Sequence, residues 1–116
     1  MVYKIGNVAD LERVPMPDRA TYDLLYHHAR VLTQGYGAER NVDTDDGGFV
    51  LYAPSGTSTE DLKACFDYTK HTAEVVEEFG SLLIATYLLN NEFAVTIILS
   101  AEDAPTKIIK EINERR

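Results

Sequence analysis

Apolar residues recur at alternating spacings of three and four from Tyr22 through Leu25, Ala29 and Leu32 to Tyr36, a stripe widened by Leu24 and Val31 over a helix of about residues 19–35. Asp23, His27, Arg30 and Gln34 fall on the opposite face. The spacing predicts an amphipathic helix with Asp18 as its N-cap and Gly35 and Gly37 as its stop. A second helical pattern covers about residues 58–79. Leu62, Cys65, Phe66, Tyr68, Ala73, Val76 and Phe79 share one side, and Lys63, Asp67, Lys70, Glu74, Glu77 and Glu78 share the other. Thr57 and Glu60 fit a capping box, and Thr72 offers a second cap if the segment breaks near His71.

Residues 2–5 and 49–53 read as strands. Residues 82–89 and 93–99 are apolar on both faces and flank Asn90-Asn91, which predicts an antiparallel hairpin buried under helices. Asp103 and Pro105 open a last helix that turns Ile108, Ile109 and Ile112 inward. The expected fold is α+β, in the order (β)αβαββα. It is a three- to four-stranded mixed or antiparallel sheet packed by about three helices, in one domain over residues 1–116. Of the seven tyrosines, Tyr26 and Tyr52 are expected nearest the surface.

Charge adds the first functional constraint. The net charge is −8, and it is unevenly spread. Residues 1–40 hold five acids and five bases, whereas residues 41–103 hold twelve acids against Lys63 and Lys70 alone. A phosphate-binding surface needs positive potential, so direct nucleic-acid binding is not expected. Asn90-Asn91-Glu92 interrupts the one long apolar run, so no membrane partner is expected either. The single cysteine, Cys65, forms no internal disulfide, and a cytoplasmic location follows as the expectation.

Residues equipped for chemistry are few. Asp43, Asp45 and Asp46 resemble the start of a calcium loop, but Gly47 and Pro54 stand where its fifth and twelfth ligands belong, so no metal is assigned. His27 and His28 are adjacent and point about 100° apart on a helix, so they do not chelate one ion together. His28 falls at the edge of the apolar stripe, as a satisfied half-buried histidine or as a general base poised by a carboxylate. Cys65 reads as a buried structural thiol, and no glycine pattern builds a phosphate cradle. No catalytic residue and no cofactor is assigned.

The segments YDLLYHHARVLT (22–33), NVDTDDGGFVLYAPSGTS (41–58) and FDYTKHT (66–72) resemble small uncharacterised proteins carried on mobile elements of Gram-positive gut bacteria. That resemblance implies an accessory role and assigns no activity. The composite expectation is a non-enzymatic interaction or regulatory protein. Its acidic surface (Asp43, Asp45, Asp46, Asp67, Glu74, Glu77 and Glu78) would meet a basic protein partner, with a homo-oligomer left open. The alternatives are a DNA-mimic inhibitor of a nucleic-acid-binding protein, a small enzyme using His28 or a metal loop at Asp43–Asp46, or a small-molecule sensor with a pocket between sheet and helix.

Overall fold

A computed structural model describes residues 1–15, 18–34, 48–90 and 93–115. Its strands are β1 (Tyr3–Ile5), β2 (Gly48–Ala53), β3 (Val75–Phe79), β4 (Leu82–Asn90) and β5 (Phe93–Ser100), and its α-helices are α1 (Arg19–Gln34), α2 (Thr59–Phe66) and α3 (Thr106–Arg115). The strands form one five-stranded sheet in the order β1-β2-β5-β4-β3. β2 runs parallel to β5, and every other pairing is antiparallel. The fold is therefore α+β with a mixed sheet, one strand larger than the upper expectation.

Strand alternation sorts the core into two layers. Phe49, Leu51, Leu83, Ala85, Tyr87, Val95, Ile97 and Leu99 meet Leu62 and Cys65 of α2 and Ile108 and Ile112 of α3. Val50, Tyr52, Ile84, Ala94 and Ile98 turn the other way, against Leu25 and Ala29 of α1 and against Leu11 and Val14. This explains why the hairpin strands are apolar on both faces: helices cover each side. Tyr52, expected near the surface, is instead 2% exposed. It points into the α1 layer and stacks with Tyr3 across β1 and β2, with ring centroids 6.4 Å apart. Tyr26 does lie at the surface.

The helix expected over residues 58–79 is corrected. α2 ends at Phe66, a 3-10 turn follows at Tyr68–Lys70, and residues 75–79 form β3 against β4. The Thr69 hydroxyl donates to the Phe66 carbonyl at 2.7 Å, occupying an acceptor at the end of α2. The Val75-Val76 pair then favours the pleated surface that β4 offers. The cap shifts by one residue as well. Ser58 is the N-cap, accepting from the Asp61 amide at 3.2 Å, while the Thr57 hydroxyl donates to the Pro54 carbonyl at 2.6 Å. Asp18 caps α1 as expected, its carboxylate accepting from the Thr21 amide at 2.7 Å. Gly35 and Gly37, its expected stop, lie outside the described residues.

Candidate functional site

The acidic strip expected on a helix becomes an acidic strand edge. β3 closes one end of the sheet, and alternation turns successive side chains to opposite faces. Glu77 pairs with Ile84 and so shares the α1 face, whereas Glu78 pairs with Leu83 and shares the face covered by α2 and α3. Glu74, just before the strand, donates its amide to the Thr86 carbonyl at 2.7 Å. All three glutamates are exposed. Asp67 stands apart at the end of α2, with its carboxylate 3.8 Å from the Lys70 ammonium. Asp43, Asp45 and Asp46 lie outside the described residues. The structure therefore brings together Glu74, Glu77 and Glu78 along one edge, but not as one continuous face.

Glu77 leads to a second feature. α1 lays His28 half-buried over the sheet, and a cavity of about 190 Å³ opens there, lined by His27, His28, Val31, Val75, Glu77, Ile84, Thr86 and Thr96. Thr86 and Thr96 sit directly opposite each other on β4 and β5, with hydroxyl oxygens 3.0 Å apart. His27 and His28 meet edge-on, with centroids 5.3 Å apart. Burial lowers the His28 pKa below its usual value, and the neighbouring His27 lowers it further, while Glu77 works in the opposite direction. Among the described residues the His28 ring makes no hydrogen bond to a carbonyl or a carboxylate, and Glu77 acts on it as a nearby charge.

No family model, curated protein or solved structure matches this chain. Among the described residues no group of three or more His, Cys, Asp and Glu side chains is placed to hold a metal ion. No helix among them is long and apolar enough to cross a membrane.

Cys65 is fully buried on the sheet-facing side of α2, and burial pushes its thiol up to about 11, which makes it a poor nucleophile at neutral pH. Burial and the nearby Glu111 together push the Tyr87 phenol up to about 12. A larger open groove of about 680 Å³ runs past the start of α1, between Asp18, Thr21, Tyr52, Phe79 and Leu82. Sequence reasoning passed over Thr86 and Thr96, although a signal exists. Each is a threonine near the middle of a largely apolar strand, and hairpin pairing sets them face to face.

Proposed function

We propose that this protein is a non-enzymatic interaction module that takes an extended, basic segment of a partner protein as an added strand on the outer edge of β3. The position of β3 at the end of the sheet carries the reading. β3 has a sheet neighbour on one side only among the described strands, and its residues are exposed except for the half-buried Val76. A strand at the end of a sheet presents backbone donors and acceptors to a chain that can lie alongside it. The opposite edge, β1, is only three residues long and carries Lys4, so it offers a cation little.

Charge selects the partner. Glu74, Glu77 and Glu78 place carboxylates on both faces of the edge, so an incoming strand with lysine or arginine at successive positions meets opposite charge on either side. A second copy of the chain is disfavoured. Antiparallel pairing centred on β3 would set Glu77 opposite Glu77, and like charges directly opposite each other are destabilising.

The test is fluorescence anisotropy with a labelled peptide of alternating lysine and valine, and with the same peptide N-methylated at every second amide. Binding of the first peptide that weakens with added salt, is lost on N-methylation, and collapses in Glu74→Lys/Glu77→Lys/Glu78→Lys supports strand addition. Equal binding of both peptides, or unchanged binding by the triple variant, refutes it. The three positions are exposed, so circular dichroism of the variant should match that of the parent.

A further inference from the structure

We propose that the cavity between α1 and the sheet is a binding site for a small neutral amide, a molecule that carries a carbonyl acceptor beside an N–H donor. This rests on the polar groups converging there and not on the β3-edge reading. The floor is the Thr86–Thr96 pair, whose residues are 5% and 1% exposed. Two hydroxyls bring two protons, and the 3.0 Å bond between them uses one. The other proton has no acceptor among the described residues. A buried donor left unmet costs about 1–3 kcal/mol, so whatever fills the cavity gains by offering it an acceptor.

The walls narrow the choice. Glu77, exposed at the rim, is an acceptor-only carboxylate that can receive a donor from a molecule seated there. The neutral His28 ring, which burial favours, offers one N–H and one lone pair and tolerates either kind of atom. Val31, Val75 and Ile84 supply apolar surface for a ring or short chain. Glu77 repels an anion. An ammonium ion satisfies Glu77 but gives the hydroxyl proton nothing, and a hydrocarbon satisfies neither. An amide supplies both atoms side by side. The volume of about 190 Å³ exceeds the roughly 150 Å³ that accommodates benzene, so a cyclic amide of that size fits.

The probe is 2-pyridone, titrated into isotope-labelled protein and followed by amide and imidazole NMR signals, with benzoate and toluene as parallel arms. The proposal expects saturable shifts at His28, Thr86 and Thr96 with 2-pyridone and none with the other two. Thr86→Val/Thr96→Val keeps side-chain shape while removing both hydroxyls, and it should weaken binding by about tenfold or more. Glu77→Gln, on the exposed strand, provides a second variant whose folding is not in question, and it should weaken binding similarly. No saturable shift with 2-pyridone on a native spectrum overturns the site and leaves a cavity for water only. Toluene or benzoate binding as well as 2-pyridone, or unchanged affinity in both variants, overturns the ligand class. None of these results depends on the lysine-valine peptide, so the two readings fail separately.

Discussion

Gly48 is where one added methyl group should do the most damage. It opens β2 opposite Ala94 of β5, with φ at +132°, and a Cβ built there lies 1.8 Å from the Ala94 carbonyl oxygen. Real Cβ contacts essentially never fall below 3.0 Å, so Gly48→Ala must part the parallel strands by about 1 Å or twist β2 out of register. The forced backbone conformation costs about 1–3 kcal/mol. One or two weakened ladder bonds add about 1 kcal/mol each. A loss of about 3 kcal/mol or more follows, which in a chain of this size lowers Tm by more than about 10 °C. Gly80→Ala is the matched control, because its φ is +59° and no atom lies within 4 Å of the added carbon. Its cost is backbone strain alone, about 1–2 kcal/mol. Urea and thermal unfolding of both variants test the comparison. A Gly48→Ala protein no less stable than Gly80→Ala would refute the close approach of β2 to β5.

Two titrations give further checks. The folded-state pKa of His28 is lowered, so the unfolded chain takes up a proton first as pH falls below about 6.5. Stability should be complete above that value and decline toward the lowered folded pKa, and His28→Gln should flatten the decline in unfolding midpoints measured across the window. For Cys65 the sign reverses. The thiol titrates near 9.0 when unfolded and about 11 when folded, so stability should fall as pH rises between those values. At neutral pH, labelling by a thiol reagent should proceed only as fast as the protein opens; rapid stoichiometric labelling of native protein would contradict the burial of Cys65.

Much of the fold was legible because one physical signal dominated each segment. The three-four spacing of Leu25 and Ala29, with Asp18 before it, specified α1, and the doubly apolar runs on either side of Asn90 specified a central hairpin. The 58–79 region misled because Ala73, Val76 and Phe79 fall three apart, which suits a helix, while residues 75–79 suit a strand equally well. Only the partner strand β4 decides between them, and a single-sequence pattern does not contain that pairing. The error carried into the site. Glu74, Glu77 and Glu78 would share a face on a helix, but on a strand Glu77 swings over to His28. Half-burial of His28 was readable from its place at the stripe's edge. Its neighbours Thr86 and Thr96 come from strands more than fifty residues away, and only tertiary packing brings them there.

The lone parallel pair has a kinetic consequence. β3, β4 and β5 follow one another as an antiparallel meander, so their contacts close short stretches of chain. β2 joins the sheet only by reaching β5, a partner 46 positions further along at Gly48 and Ala94. Pairings at such range close late and slowly compared with hairpins. The C-terminal meander should therefore form first, with residues 1–53 docking onto an edge of β5 that stays uncovered until they arrive. Newly made or transiently opened chains would expose that apolar edge, so aggregation should track the docking of the N-terminal half.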